Sequence, residues 1–337
     1  MPALETLLLV FAADQVLAGL AVPTRALFVG AQAHPAFKAW PEVTGWQPLK
    51  PLADAWAAAG FASTVDLTGM TWPAVLILPG KSRDETLAWF ALARECLEPG
   101  GTIVVAMPNT AGAARFEKEL AKATGKVTSL QKHKCRAFHA TDDGSWREEL
   151  FDEWRALGGL REIPGTHFVA QAGIFSCGHI DPGSQFLADN LPVSLCGEVA
   201  DLGAGWGYLS DAALRRCPRI TRIDLFEADA RALACARRNL AGQARATNCY
   251  WHDVTTGLPG TYDVILLNPP FHTGQATDVD LGRAFVRVAA AVLRRGGKLL
   301  LVANRQLPYE KVLADSGLVW RMIAADQNYK ILFAENH

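Results

Sequence analysis

The sequence predicts an α/β fold of two tandem domains that arose by duplication, each built on a mostly parallel sheet. Short apolar runs alternate with helical segments along the chain, which is the pattern of parallel sheets with helical crossovers. A strand, a helix, a Gly-Gly turn and a strand also recur, because residues 74–79 and 99–106 match residues 263–268 and 295–302 in order and spacing. At 337 residues, half of them hydrophobic, the chain can bury two cores.

The first copy is predicted between residues 1 and 155. In chain order we expect a helix over 1–20, a strand over 25–30, a helix over 50–59, strands over 63–67 and 74–78, a helix over 84–97, a strand over 102–107, a helix over 109–123 and a hairpin over 126–139. The first strand ends in Gly30, but the later glycines of a nucleotide-binding loop are missing. We therefore expect this copy to serve packing and partner binding without chemistry of its own.

The second copy is predicted between residues 160 and 337, after a polar and aromatic boundary segment. In chain order we expect a strand over 167–170, a helix over 184–190, a strand over 198–202, a helix from Tyr208, a strand over 222–226, a third strand before Asp253, a strand over 262–267, a helix over 278–293, a strand over 298–303, a helix from 307 and an antiparallel pair over 319–324 and 329–333. Such a pair commonly closes an otherwise parallel sheet.

Charge gives no global sign of a nucleic-acid partner, because the formal net charge is −1 and the pI about 6.7. A local basic cluster does occur near the end of the first copy, formed by Lys118, Lys122, Lys126, Lys132, Lys134 and Arg136. Glu117 and Glu119 are interleaved with it. The cluster fits a phosphate-contacting face and a solvated surface equally well.

Cysteine usage and the N-terminus indicate a cytoplasmic protein. The seven cysteines are scattered and form no C-x-x-C pair, so we expect reduced thiols without a zinc site or disulfides. The apolar stretch at residues 7–11 follows Glu5 and lacks a basic flank, which argues against a signal peptide. No apolar run reaches the length of a membrane span.

A glycine loop in the second copy predicts a cofactor site. Gly203, Gly205 and Gly207 alternate directly after a strand and before a helix, which lets the backbone approach a ligand closely. Asp201 precedes the loop and suits the amino or sulfonium side of S-adenosylmethionine better than a pyrophosphate. Glu227 ends the next strand, where it can accept from ribose hydroxyls, and Asp253 ends the third, where it can accept from the adenine amine.

The tetrapeptide Asn268-Pro269-Pro270-Phe271 ends the fourth strand and predicts a grip on a planar substrate with an exocyclic amine. The Asn268 amide can accept and donate, the proline carbonyls can only accept, and the Phe271 ring can stack on a base. The prolines make the turn rigid. His272 beside this turn is either a proton acceptor or a hydrogen-bonding bystander.

These runs resemble the bacterial ribosomal RNA guanine-N2 methyltransferases, the small-subunit (16S) enzyme more than the large-subunit (23S) one. The resemblance rests on residues 173–176, 181–185, 201–207, 268–274 and 302–309. One departure is Cys177-Gly178-His179, where a basic residue would be expected. The resemblance implies two tandem Rossmann-like methyltransferase domains, each a mostly parallel seven-stranded sheet, with only the C-terminal one active.

The resemblance also implies the reaction: a methyl group passes from S-adenosylmethionine to N2 of a guanine in 16S rRNA, within the small ribosomal subunit or an assembly intermediate. We expect Asn268, Pro269, Pro270 and Phe271 to act on the substrate, and Asp201, Gly203, Gly205, Gly207, Glu227, Asp253 and Asn268 to bind cofactor. We further expect a monomer, with no metal and no membrane partner. Alternatives left open are a 23S rRNA enzyme, methylation of adenine N6 or of a protein glutamine amide, and a non-catalytic ribosome-assembly factor.

Overall fold

The computed structural model describes residues 2–12, 19–270, 272–273, 276–277 and 279–337. The chain divides into two compact units, unit 1 over Met1–Gly159 and unit 2 over Leu160–His337. Each unit has its own sheet and its own hydrophobic cores.

Unit 1 contains helices and strands in the predicted alternation. They are α1 Pro2–Leu9, β1 Ala26–Val29, β2 Val43–Trp46, α2 Lys50–Ala58, β3 Ala62–Ser63, β4 Trp72–Ile77, α3 Arg83–Glu95, β5 Leu97–Pro108, α4 Ala113–Thr124, β6 Thr128–Lys132, β7 Cys135–Thr141 and α5 Glu148–Leu157. Strands β1 and β4 are buried almost throughout, as expected for the middle of a sheet covered on both faces.

Unit 2 repeats this order after a short N-terminal hairpin. Its elements are β8 Arg161–Glu162, β9 Val169–Ala170, α6 Pro182–Asp189, β10 Cys196–Leu202, α7 Tyr208–Arg216, β11 Arg219–Glu227, α8 Ala230–Asn239, β12 Ala246–Trp251, β13 Tyr262–Leu267, β14 His272–Thr273, β15 Ala276–Thr277, α9 Val279–Val292, β16 Leu293–Asn304, α10 Tyr309–Asp315, β17 Val319–Ala325 and β18 Tyr329–Glu335.

The two sheets have the same topology. Seven strands lie in the order β3-β2-β1-β4-β5-β7-β6 in unit 1 and β12-β11-β10-β13-β16-β18-β17 in unit 2. In both sheets the first five strands are parallel, and the sixth, β7 or β18, is antiparallel to both of its neighbours. Strands β5 and β16 have 12 residues each and bury the same positions. The predicted fold class, two tandem Rossmann-like domains, is confirmed.

Several predicted boundaries were wrong. Helix α1 ends at Leu9 instead of residue 20, and residues 13–18 of that prediction lie outside the described part. Strand β2 was missed, and the strand expected over 63–67 is only Ala62–Ser63. Gly45 explains the first miss, since a glycine weakens a strand prediction, whereas here a Cβ at Gly45 would lie 2.4 Å from Trp56 Nε1.

A buried polar network crosses the middle of the unit 2 sheet. Asp224 on β11 is 2% exposed and accepts hydrogen bonds from the Tyr262 hydroxyl at 2.9 Å and from Asn248 Nδ2 at 2.8 Å. Burial, together with the adjacent Asp224 carboxylate, raises the pKa of the Tyr262 phenol. In unit 1 the position of Tyr262 is taken by Trp72, which pairs with β5 as Tyr262 pairs with β16, so unit 1 has no phenol at this place.

No helix within the described ranges is both long and apolar enough to cross a membrane. In the same part of the chain no group of three or more His, Cys, Asp or Glu side chains is placed to hold a metal ion. All seven cysteines carry free thiols, and four of them are buried.

Candidate active site

Four adjacent strand ends form one edge of the unit 2 sheet. Leu202 at the end of β10 is paired with Phe226 on β11 and with Leu267 at the end of β13. Gly203 and Asn268 are therefore neighbours at this edge, and Glu227, paired with Trp251, lies on the other side of Gly203. Three strand spacings of about 4.8 Å give a row of about 14 Å from β12 to β13. Strand order thus brings together the predicted residues from four separate segments.

The glycine loop has the backbone that its sequence predicts. Gly203, Gly205 and Gly207 have φ of 72°, 56° and 91°, in the left-handed region that favours glycine. The Gly203 N–H donates to the Phe226 carbonyl at 2.8 Å. A Cβ on Gly205 would meet no atom within 4 Å, so the loop presents bare backbone to open space at this point. A ligand can approach there without displacing protein atoms.

Glu227 is tied to the glycine loop. One carboxylate oxygen accepts from the Gly205 N–H and the other from the Asp229 N–H, both at 2.8 Å. Burial raises the pKa of the Glu227 carboxyl, and these backbone donors offset part of that effect. A carboxylate held by backbone on two sides has a fixed orientation at the strand end.

Asp201 lies beneath the loop and not on its surface. It is 1% exposed and accepts a hydrogen bond from Ser210 Oγ at 2.7 Å. Burial and the negative charge of Glu227 together raise the pKa of Asp201 to about 7, against the opposing hydrogen bond from Ser210. A positive charge placed nearby would stabilise the ionised form of this carboxyl and offset the cost of its burial.

Asp253 begins the turn after β12. Its Oδ1 accepts from the Thr255 N–H at 2.9 Å and from Thr255 Oγ1 at 2.7 Å, so the side chain caps a 3₁₀ turn, Val254–Thr256. A capping carboxylate keeps its second oxygen available for another donor. The position at the strand end agrees with the sequence prediction, whereas its role toward a ligand is a proposal below.

The Asn268 side chain has a defined orientation. Its Nδ2 donates to Asp181 Oδ2 at 2.9 Å and to Ser184 Oγ at 2.8 Å. Both amide hydrogens are thereby engaged, and the amide can offer a substrate only the acceptor Oδ1. Of the two capacities of the amide, donation is used within the protein and acceptance remains for a ligand.

The rest of the tetrapeptide is described in part. Pro269 is buried and Pro270 half-buried directly after β13, as a rigid turn requires. Phe271, predicted to stack on a base, lies outside the described residues. His272 is described only as backbone in β14, which pairs with Thr277.

Sequence reasoning missed the residues that hold the site together. Asp181 and Ser184 were noted only as part of a motif, and Asn239 was not noted. Asn239 Nδ2 donates to the carbonyls of Val169 and Trp206, which ties the glycine loop to α8 and β9. The Asp-Pro-x-Ser spacing predicts a helix N-cap. No local sequence signal predicts that this cap contacts Asn268.

The equivalent edge of unit 1 lacks these groups. Gly30 N–H donates to the Trp46 carbonyl just as Gly203 N–H donates to Phe226, so Gln47 takes the place of Glu227. Gln47 Nε2 donates to the Ala31 carbonyl at 2.8 Å. Leu78, 7% exposed, follows β4 where Asn268 follows β13. Unit 1 therefore has no carboxylate at the place of Glu227 and no amide at the place of Asn268.

Comparison with known proteins identifies the family. Residues 165–333, half of the 337-residue chain, match the family model described as "Methyltransferase small domain". The chain belongs to this methyltransferase family. The matched range contains every predicted site residue of unit 2.

Named relatives agree with this assignment. The methyltransferase is 30% identical over 242 residues to the ribosomal RNA small subunit methyltransferase C of Psychromonas ingrahamii, covering 71% of this chain and 69% of that one. It is also 30% identical over 244 residues to the same-named protein of Shewanella piezotolerans, covering 72% of this chain and 71% of the relative.

One solved structure matches both units of this methyltransferase. The T. thermophilus 16S rRNA N2 G1207 methyltransferase, solved with AdoMet and guanosine, superposes with a TM-score of 0.76 at 24% identity. The match covers 93% of this chain and 88% of that one. It establishes that the two-unit fold is shared.

Proposed function

We propose that this methyltransferase transfers a methyl group from S-adenosylmethionine to the exocyclic N2 amine of a guanine in 16S rRNA. The observation that carries the proposal is the Asn268 amide, which can only accept at the edge that carries the glycine loop. An acceptor at this point selects a substrate with an N–H donor, and an exocyclic amine supplies two. Relatives named as small-subunit rRNA methyltransferases support the choice of RNA.

The cofactor is proposed to lie along the row of strand ends. Asp253 accepts from the adenine amine, Glu227 from the ribose hydroxyls, and the bare backbone at Gly205 lets the methionine portion pass close to the loop. The Asp201 carboxylate stabilises the positive charge of the sulfonium or the amino group. This order places the methyl group toward β13, beside Asn268.

The acceptor amine needs activation, because the N2 lone pair is conjugated with the guanine ring. Hydrogen bonds from its two protons to Asn268 Oδ1 and to a carbonyl of Pro269 or Pro270 pull the nitrogen toward tetrahedral geometry. The N2 lone pair then attacks the methyl carbon in line, the S–CH₃ bond breaks, and S-adenosylhomocysteine leaves as a neutral thioether. The methylated nitrogen loses one proton to solvent. Positioning and electrostatics supply most of the rate, so no dedicated base is needed.

The target base is proposed to leave its helix to reach this edge. Phe271 is proposed to stack on the extruded guanine. Unit 1, which lacks the carboxylate and the amide, is proposed to serve as a structural and RNA-binding domain, with a boundary between residues 155 and 160. We further propose that a monomer acts in the cytoplasm on the small subunit or an assembly intermediate.

The exposed basic side chains of unit 1 support its proposed role. Lys118, Lys126, Lys132 and Lys134 are exposed, and they make no ion pair with any residue that the structure describes. By contrast, Lys122 pairs with Glu119 and Arg136 with Glu117. Four unpaired lysines on one short segment suit phosphate contacts.

The test is methylation of isolated ribosomal subunits. Purified protein is incubated with radiolabelled S-adenosylmethionine and, separately, with small and large subunits from a strain lacking the gene, and the labelled nucleoside is identified. We expect N2-methylguanosine in small-subunit RNA. Label in large-subunit RNA, in DNA, as N6-methyladenine or in a protein amide would each overturn the proposed substrate.

Replacement of the acceptor amide tests the chemistry. We expect Asn268→Ala to abolish transfer while the dissociation constant of S-adenosylmethionine, measured by calorimetry, changes less than about threefold, because the amide contacts the substrate amine. Asn109→Ala, at an exposed asparagine of unit 1, is the matched control and should keep full activity. Parallel loss of transfer and cofactor binding in Asn268→Ala would contradict the assigned role.

A further inference from the structure

The contacts of Asn268 reveal two residues with no assigned role. Asp181 and Ser184 lie 87 and 84 residues before Asn268 in the chain, yet both accept from its Nδ2. A carboxylate has no hydrogen to donate, so only the nitrogen end of the amide can face Asp181. The chemistry of the partner, and not crowding, decides which end of the amide points toward the substrate.

Helix α6 holds both partners in place. The Asp181 side chain caps the helix by accepting from the Ser184 N–H at 2.8 Å, and its carbonyl accepts from the Gln185 N–H at 2.9 Å. Pro182 at the first turn pre-sets the helical backbone. Asp181 therefore serves two donors with one oxygen, Oδ2, and cannot turn without losing both.

Gly183 and Tyr329 complete the support. A Cβ at Gly183 would lie 3.0 Å from the Tyr329 ring and 3.2 Å from Asp181 Oδ2. The absence of a side chain there lets Tyr329 of β18 pack against the start of α6. Burial and the negative charges of Asp181 and Asp326 raise the pKa of the Tyr329 phenol.

We infer that Asp181 and Ser184 are positioning residues that turn the Asn268 amide so that Oδ1 faces the substrate amine. The inference rests on the proposed function and adds the basis of its selectivity. In the opposite orientation the amide would present its own N–H groups to a donor amine, which repels the substrate. The two residues act through Asn268.

The first test is Asp181→Asn. Asparagine is as good an N-cap as aspartate, so α6 is retained. The oxygen that caps the helix also holds Asn268, so an amide at 181 leaves only a neutral acceptor there and weakens the control over the Asn268 orientation that the carboxylate exerts. We expect the single-turnover rate of methyl transfer to fall about tenfold to a hundredfold, with the affinity for S-adenosylmethionine unchanged. Ser184→Ala should cost about threefold to tenfold, because it removes a neutral acceptor. Asp189→Asn, the same change at an exposed position of α6, should have no effect.

A polarity swap separates orientation from mere support. Asn268→Asp alone sets two carboxylates against each other and should be nearly inactive. In the double variant Asp181→Asn with Asn268→Asp, residue 181 can turn its amide nitrogen toward a carboxylate whose two oxygens are both acceptors, and it gives up the cap on the Ser184 N–H to do so. We expect its rate to exceed that of Asn268→Asp by at least about tenfold, an effect that a structural cap would not produce. No rescue, or a wild-type rate in Asp181→Asn, would overturn the inference.

A measurement without turnover keeps this inference distinct from the proposed function. The Asn268 side-chain amide in a ¹⁵N-labelled sample is identified by its loss in Asn268→Ala. Its hydrogens should exchange slowly with solvent in the unchanged protein, and at least about tenfold faster in Asp181→Asn but not in Asp189→Asn. Fast exchange in the unchanged protein would overturn the inference. If exchange is slow but the protein methylates no RNA, the proposed function is wrong, whereas the orientation of Asn268 by Asp181 is still supported.

Discussion

The buried carboxylate of Asp201 couples stability to proton binding. Its pKa of about 7 lies above that of an unfolded aspartate, so the folded protein holds this proton more tightly. The stabilising contribution is complete below the unfolded pKa of about 4 and is lost as the pH rises through about 7. At neutral pH the ionised Asp201 therefore destabilises unit 2 in the absence of a cation.

Asp201→Asn should relieve this cost. We expect the variant to unfold at a higher temperature than the unchanged protein at pH 8 and by a clearly smaller margin at pH 5, measured by calorimetry without cofactor. A stability difference that does not depend on pH would refute the titration of Asp201.

Cofactor binding should show the opposite pH trend. The positive charge of S-adenosylmethionine favours ionised Asp201, so affinity should rise about tenfold between pH 6 and pH 8. Asp201→Asn should bind more weakly and lose this dependence. Calorimetric titrations at the two pH values measure both effects, and a persistent pH dependence in the variant would assign it to another group.

Sequence reasoning at this scale found the positions but not the partners. Asp201, Glu227 and Asn268 could be placed because each follows an apolar run that reads as a strand. The orientation of Asn268 could not be predicted, because it depends on Asp181 and Ser184 more than 80 residues away. Hydrogen bonds between distant side chains leave no periodic signal in a sequence.

At the scale of elements, the β6–β7 hairpin ends in an unusual turn. His133 and Lys134 occupy its tip with φ of 53° and 58°, the left-handed region in which glycine and asparagine are preferred. Lys132 beside them is exposed. This backbone costs a lysine about 1 to 2 kcal/mol, and here it holds an exposed charged side chain at the tip of the hairpin.

Lys134→Gly should separate stability from RNA binding. We expect the variant to be more stable by about 1 kcal/mol, because glycine adopts this backbone without strain. Its affinity for small-subunit RNA should fall, and the slope of log affinity against log salt should shrink by about 0.7 to 0.9, the value for one phosphate contact. Filter binding at several salt concentrations measures the slope.

His133→Asn is the matched control, since it relieves the adjacent residue and keeps Lys134. It should gain stability with an unchanged salt slope. An unchanged slope in Lys134→Gly as well would show that the tip does not contact phosphate.

Element boundaries were predictable where local signals agreed. Strand β13 begins and ends as predicted because an apolar run is bounded by Gly260-Thr261 and by Asn268-Pro269. Strand β2 was missed because Gly45 lacks a side chain for a tertiary reason, the approach of Trp56. Secondary-structure propensity is a local property and cannot predict packing between distant elements.

At the scale of the whole molecule, the two units are duplicates in fold, but only unit 2 keeps the predicted site residues. The chain should therefore bind one cofactor. Gln47 and Leu78 replace Glu227 and Asn268 in unit 1. We expect calorimetry to give a stoichiometry of one S-adenosylmethionine for each full-length chain.

Glu227→Gln should make unit 2 resemble unit 1 at this point. We expect it to weaken cofactor binding at least about tenfold if Glu227 accepts from the ribose hydroxyls as proposed, because they would lose a charged acceptor. Gln47→Ala should leave both affinity and stoichiometry unchanged. A second binding event that survives Glu227→Gln and disappears in Gln47→Ala would place a cofactor in unit 1.

The buried network of Asp224 also bears on how a repeated chain folds with fidelity. Because the two sheets have the same strand order, a strand of one unit could pair in the equivalent place of the other during folding. Such misassembly between domains is a known failure of tandem repeats. If β4 entered the place of β13, Trp72 would replace Tyr262, and Asp224 would keep its hydrogen bond from Asn248 but lose the one from the phenol to Oδ2. An unsatisfied buried acceptor costs about 1 to 3 kcal/mol. The network therefore disfavours the pairing of β4 in place of β13 and helps each strand to join its own sheet.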